Sequence, residues 1–177
     1  MTVTPADQSL TISWSAPSSD GGNAVTSYTA TATDINGNTF SCTTDATSCV
    51  ITGLTNGVSY DVIVVSTNAM GQSDSADAGL SSPSTVPSAP TNLSLTSDGS
   101  TLTISWSAPN SDGGLAIDAY VVTLNGVVVC NTTDLSCSIS SLAAATNYSL
   151  TVTAVNADGT SLASDALDLT DVTVVRT

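Results

Sequence analysis

Four cysteines carry the most evident chemistry in this chain, and they come as two copies of one pair: Cys42 with Cys49, then Cys130 with Cys137, six residues lying between the partners each time. Two readings compete for such a pair: a short-loop disulfide, or two reduced thiols acting as small buried hydrophobes. The repeated spacing favours the disulfide. Closing a loop of this size stabilises its surroundings by roughly 2–3 kcal/mol on the chain-entropy account. A zinc centre would have to draw two thiolates from each pair, with no nitrogen ligand to join them. Two disulfides imply an oxidising setting, whether secreted, cell-surface, periplasmic or on the outside of a virus particle.

The remaining composition excludes most catalytic chemistry. The chain has 15 acidic residues, all aspartate, one basic residue (Arg176), and neither histidine, lysine nor glutamate. Without imidazole there is no histidine base and no histidine metal ligand, and without lysine no Schiff base. A Ser or Cys nucleophile therefore lacks its usual activator. A carboxylate pair across a cleft is not suggested by short alternating segments either. The expectation is no catalytic residue, no metal and no cofactor. Three aspartates stand in loop-like strings that could supply oxygen ligands: Asp20 and Asp112, each opening an Asp-Gly-Gly triplet, and Asp34 in "DINGN". An EF-hand loop needs glycine sixth and a bidentate acid twelfth, whereas Gly37 stands fourth and no glutamate follows. Turn chemistry is the preferred reading of these aspartates, with weak calcium binding as the alternative.

A net charge of -14 argues against nucleic acid and anionic lipid as partners, since one arginine makes no basic patch. No apolar run approaches the ~18 residues of a membrane span, so membrane insertion is not expected. The first twenty residues contain neither a basic segment nor an apolar stretch of the kind a secretory leader has.

The elements that hold these residues come in duplicate. "LTISWSAPSSDGG" (residues 10–22) returns as "LTISWSAPNSDGG" (residues 102–114), which pairs Trp14 with Trp106 and Tyr28 with Tyr120 at an offset of 92. Beyond that point Cys42 pairs with Cys130, Leu54 with Leu142 and Tyr60 with Tyr148 at an offset of 88, so the second copy lacks four residues between Tyr120 and Cys130. Both stretches there contain Asn-Gly, a hairpin-turn signal, so the loss reads as a shortened hairpin. The copies meet at "SSPSTVPSAPTN", whose prolines make a short semi-rigid connector. We place modules at residues 1–86 and 87–177, the first starting late: Met1 falls opposite Leu93, which truncates its first strand. Leu10, Ile12 and Trp14 alternate with hydroxyl residues, as do Tyr60, Val62 and Val64, the period of a half-buried strand. No amphipathic helix is evident, and the pattern is all-β.

In this arrangement each copy resembles the fibronectin type III domain. The resemblance rests on the early tryptophan (Trp14, Trp106), the proline and Asp-Gly-Gly loop after it (Pro17, Pro109), and the next-strand tyrosine (Tyr28, Tyr120). A leucine six residues before a tyrosine (Leu54/Tyr60, Leu142/Tyr148) and the turn sequences "NAMGQS" and "NADGTS" complete it. It implies two tandem seven-stranded Greek-key, immunoglobulin-like β-sandwiches, with strands A, B and E facing C, C′, F and G. The leucine–tyrosine pairs then look like the tyrosine corner, and the two tryptophans, four tyrosines and two leucines named here belong to the cores. The cysteines fall between strands C′ and E. The fold implies no activity of its own.

Outward positions on the C–C′–F–G sheet are the remaining place to seek a partner. If Tyr60, Val62 and Val64 face inward, Ile63 and Val65 face out, and Val121, Val127, Val129 and Val155 are expected to do so in the second module. Exposed β-branched residues are often simply good strand formers. A partly apolar face on an acidic surface is nonetheless where a protein partner or neighbouring subunit would dock. Glycan binding is disfavoured because Phe40 is the one aromatic residue not assigned to a core. The sequons at Asn92, Asn131 and Asn147 are expected by chance in so hydroxyl-rich a chain. The chain thus reads as a spacer, display or adhesion segment of a surface or secreted protein. The alternatives are a virion surface protein of a phage and an accessory module of a polysaccharide-degrading enzyme.

Overall fold

The computed structural model describes residues 1–97, 101–140 and 147–169, and every regular element among them is a β-strand. The chain divides into two compact units, Met1–Thr85 and Val86–Thr177.

The first unit contains β1 (Thr2–Ala6), β2 (Ser9–Ser13), β3 (Ser27–Asp34), β4 (Thr39–Thr44), β5 (Ser48–Thr52), β6 (Tyr60–Asn68), β7 (Gly71–Gln72) and β8 (Ala76–Ser81). One antiparallel sheet has the order β1-β2-β5, and the other runs β4-β3-β6 with β7 and β8 both on β6. This is the A-B-E and C′-C-F-G division of a Greek-key sandwich, with the last strand broken in two. Period-two alternation builds the core. Leu10 and Ile12 of β2, Ile51 of β5, Ala30 and Ala32 of β3, and Tyr60, Val62 and Val64 of β6 are buried between the sheets. Each large aliphatic residue so buried contributes about 1.5–3 kcal/mol. Ala30 lies opposite Val64 and Ala32 opposite Val62, so small residues on β3 leave room for the branched ones on β6. The other face of β3 is threonine: Thr29, Thr31 and Thr33, with Thr29 and Thr43 joined hydroxyl to hydroxyl at 3.0 Å across the hairpin.

The break between β7 and β8 has a local cause. Ser73 donates its N–H to the Ser66 carbonyl at 2.9 Å, while its hydroxyl accepts the Ser66 N–H at 3.0 Å. The side chain thereby occupies a backbone position in the ladder, and regular pairing resumes only at Ala76.

The second unit contains β9 (Thr91–Ser97), β10 (Thr101–Ser107), β11 (Ala119–Leu124), β12 (Val127–Thr132), β13 (Ser136–Ser140), β14 (Tyr148–Asn156), β15 (Gly159–Thr160) and β16 (Leu167–Leu169). Its sheets are β13-β10-β9 and β12-β11-β14-β15, with β16 also on β14. The shortened hairpin turns at Asn125 and Gly126, whose φ angles are 49° and 80°. Two consecutive positive φ values are what a two-residue type I′ turn requires, which explains Asn-Gly at this position.

That hairpin corrects part of the expected outward face. Val122 pairs with Cys130 but Thr123 pairs with Val128, so β12 carries a bulge with Val129 as the additional residue. Val128 therefore lies across from outward Thr123, and Val127 across from Leu124, whose side chain is in the core. A simple count of alternate residues put Val127 and Val129 together on the outer face. One extra residue in an edge strand resets the parity beyond it, so Val127 leaves the outer side while remaining 65% exposed, and Val129, next to core-packed Cys130, keeps it.

Candidate functional site

The disulfides sit where each sandwich has its open side. Cys42 lies on edge strand β4 opposite Ala30, and Cys49 lies on edge strand β5 opposite Ile12. The Cys42–Cys49 bond, with its Cα atoms 6.3 Å apart, ties the C′ edge of one sheet to the E edge of the other. Cys130–Cys137 does the same between β12 and β13, with Cα atoms 6.6 Å apart. All four cysteines are consumed, so none is free for nucleophilic or metal chemistry.

The aspartates act on backbone. Asp20 Oδ1 accepts the Gly22 N–H at 2.8 Å, and Asp112 Oδ1 accepts the Gly114 N–H at 2.8 Å. Asp34 Oδ1 accepts the N–H groups of Asn36 and Asn38 at 2.9 Å, and Oδ2 accepts Asn38 Nδ2 at 2.8 Å. The Asn38 side-chain bond, opposed by desolvation and aided by backbone N–H groups, holds the Asp34 carboxyl below its ordinary value. Among the described residues no three His, Cys, Asp or Glu side chains gather as metal ligands.

The aromatic residues mark the interiors. Tyr28, Tyr60, Trp106 and Tyr120 are buried, as is Leu54. Trp14 and Tyr148 are partly buried against their cores, and Leu142 lies outside the described residues. Burial raises the Tyr120 phenol above its ordinary value by desolvation. Tilted ring pairs join Trp14 to Tyr28 at 5.5 Å and Trp106 to Tyr120 at 5.6 Å between centroids. Phe40, the aromatic residue left without an assignment by sequence reasoning, packs edge-on against Tyr60 at 5.9 Å. It too belongs to the interior, because β4 alternates and places Phe40 and Cys42 on the same side.

Of the six residues proposed for the partner face, all but Val127 lie on the outer side of their sheets, Val129 at 38% exposure beside core-packed Cys130. Ile63 pairs with Thr31 and Val65 with Thr29. Val121 pairs with Thr153 and Val155 with Ala119. All four are partly buried and interleaved with threonine, as in the Thr123–Thr151 hydroxyl bond of 2.7 Å. The faces are mixed, not continuously apolar. What sequence reasoning missed is the groove beside Trp14, of about 360 Å³, lined by Trp14, Pro17, Tyr28, Val64, Ser73 and Ala76 among others.

Comparison with known proteins agrees with this architecture. The family model described as "Fibronectin type III domain" matches residues 1–79 and again 88–170. Chitinase A1 of Niallia circulans is 33% identical over 173 residues, covering 91% of this chain and 23% of the enzyme. Exoglucanase B of Cellulomonas fimi is 31% identical over 174 residues, covering 92% of this chain and 16% of that protein. Human fibronectin type III domain-containing protein 7 is 31% identical over 126 residues, covering 71% of this chain and 17% of the human protein. The chain thus spans less than a quarter of the length of each of these relatives. Among solved structures, a two-domain fibronectin type III segment of chicken tenascin aligns over 96% of both chains at 20% identity and a TM-score of 0.48. With a tryptophan-centred sandwich, a C′-C-F-G sheet and a family match in each half, the chain belongs to the fibronectin type III family.

Proposed function

We propose that this chain is a pair of non-catalytic modules serving outside the cell as a spacer and display segment of a larger protein, and that an accessory region of a glycan-degrading enzyme is its best-supported setting. The observation that carries this reading is the extent of the matches to the two enzymes. Nearly the whole chain aligns with 23% of the chitinase and 16% of the exoglucanase, so the aligned part of each is a small fraction of the enzyme. The disulfides support an oxidising location, since the cytosol keeps such thiols reduced. The composition supports a passive role, with no histidine or lysine and with carboxylates engaged in turns. Interior placement of Phe40 and the other aromatics favours a spacer over a sugar-binding module.

A direct test exports the chain from a bacterial host, titrates free thiols in the secreted protein, and incubates it with insoluble chitin and cellulose. Secretion with no titratable thiol, no retention on either polymer and no release of reducing sugar is the expected result. Retention on a polymer would replace the spacer reading with a binding one. Sugar release would overturn the non-catalytic reading altogether.

A further inference from the structure

Three Asn-Gly dipeptides stand in turns of this chain, at Asn36, Asn56 and Asn125. The dipeptide has a chemistry of its own, because asparagine is a thermolabile residue. The main-chain nitrogen of the following residue can attack the asparagine Cγ and close a cyclic imide, and a glycine there has no Cβ to obstruct the approach. Ring closure also requires the carboxamide to be free to turn toward that nitrogen. The fold decides this condition differently at the three sites.

Two of the carboxamides are held at both their atoms. Asn56 Oδ1 accepts the Gln8 N–H at 2.8 Å, and its Nδ2 donates to Asp7 Oδ1 at 2.8 Å. The Gly57 nitrogen, which would have to attack, donates its N–H to the Pro83 carbonyl at 2.9 Å. Asn125 Oδ1 accepts the Ser149 N–H at 2.8 Å, its Nδ2 reaches the Asn147 carbonyl at 3.5 Å, and its own N–H donates to the Ser149 carbonyl at 2.9 Å. Asn36 differs from both. It is exposed at the tip of the β3–β4 hairpin beside Ile35, which is 96% exposed, and its carboxamide has no hydrogen-bond partner among the described residues. Its main-chain N–H donates to Asp34 Oδ1 at 2.9 Å. The Gly37 N–H closes the turn on the Asp34 carbonyl at 3.0 Å, and no atom lies within 4 Å of a Cβ placed on Gly37. A hairpin tip with nothing packed over it opens locally at little cost. The neighbouring Asn38 is held, with Nδ2 on Asp34 Oδ2 at 2.8 Å, and is followed by Thr39 instead of glycine.

We propose that Asn36 is a self-modification site, at which the folded protein converts its own asparagine to aspartate and isoaspartate while Asn56 and Asn125 stay intact. The Gly37 nitrogen gives up its proton to solvent and bonds to the Asn36 Cγ. The Cγ–Nδ2 bond breaks, and Nδ2 takes a proton back from solvent to leave as ammonia. A water molecule then opens the imide at one of its two carbonyls, giving aspartate or an isoaspartate whose main chain runs through Cγ. The net exchange is amide plus water for acid plus ammonia, with nothing oxidised or reduced. Ring closure takes the Gly37 nitrogen away from the Asp34 carbonyl, and isoaspartate adds a carbon to the main chain of the turn. Either product also sets a new carboxylate beside Asp34, so the modified hairpin tip is looser than the original. At Asn56 and Asn125 the same reaction must first break the side-chain bonds, which slows it. This inference does not depend on the spacer reading.

The test incubates the full chain for weeks at mildly alkaline pH in water enriched in heavy oxygen, then reduces it, digests it with chymotrypsin in ordinary water and reads the peptides by mass spectrometry. Cleavage after Phe40 separates Asn36 from Asn56, and cleavage after Tyr60 and Tyr120 isolates Asn125 from both. The expected result is heavy-oxygen acid at residue 36, as aspartate and isoaspartate, formed about tenfold or more faster than at residues 56 and 125, the factor that breaking the holding bonds imposes. The same chain, reduced and unfolded in guanidinium, is expected to convert the three sites at comparable rates. Asn36→Gln keeps an exposed amide but lengthens the side chain beyond ready ring closure, and is expected to leave the peptide of residues 29–40 unlabelled. Equal rates at the three sites of the folded chain, or faster conversion at Asn56 or Asn125, would overturn the proposal. So would the same ranking in the unfolded chain, or label persisting in that peptide of the Asn36→Gln variant.

Discussion

The backbone N–H of Thr55 donates to the phenol oxygen of Tyr60 at 3.0 Å, closing a corner in which Leu54 and Tyr60 are each 2% exposed. The bond fixes the loop into β6 from within the core. Tyr60→Phe keeps the ring and its edge contact with Phe40 but leaves the Thr55 N–H unpaired. A loss of about 1–3 kcal/mol from the first module is expected, with an unchanged denaturant m-value. Urea unfolding followed by Trp14 fluorescence in a Trp106→Phe background checks it, and a loss under about half a kilocalorie would show that water replaces the phenol at no cost.

Each disulfide closes a loop of sequence separation 7 between edge strands of opposite sheets. The paired substitution Cys42→Ala with Cys49→Ala is expected to remove roughly 2–3 kcal/mol from the first module. The other module keeps its stability, because each bond lies wholly within one unit. Calorimetry of each double variant, with and without reductant, reads the two transitions; equal destabilisation of both modules by one double variant would contradict this.

Asp34 is partly exposed at the end of β3, and its carboxyl is held below the ordinary value of 3.8, chiefly by the Asn38 side-chain bond. A depressed folded-state value stabilises the fold above 3.8, and that contribution is lost as pH falls from 3.8 through the lower folded value. Asn38→Ala is therefore expected to return the Asp34 carboxyl-carbon titration toward 3.8 and to weaken the acid dependence of first-module stability. NMR titration measures this, and an unmoved midpoint would assign the shift to the backbone donors instead.

Ile63 and Val65 face outward between threonines of β3. Ile63→Thr and Val65→Thr exchange β-branched residues for one another, so stability is expected to change by no more than about 0.5 kcal/mol. If this face docks a protein partner or a second copy, the same substitutions lower association. Light scattering across a concentration series distinguishes the cases: concentration-dependent mass in the parent chain that disappears in the variant identifies the face as an interface.

The alternation of Leu10, Ile12 and Trp14, the duplicated spacing of the cysteines and the Asn-Gly turns determined the strand class, the two-module plan and the inward-facing residues without any structure. These signals are local: period two follows from strand geometry, and a positive φ follows from the turn residue itself. Phe40 was legible in principle through its parity with Cys42, but a lone aromatic near a hairpin gave no reason to prefer that side. The bulge in β12 was not legible, because which residue is extra depends on the partner strand's register, and register is settled by the packing of both strands at once. The contrast between Trp14 and Trp106 lay deeper still. Nearly identical strings surround the two tryptophans, yet Trp106 is buried and Trp14 only partly so. Sequence determines what a side chain is and which face of a strand it takes, while its burial is set by chain distant in sequence, which only tertiary structure brings across it.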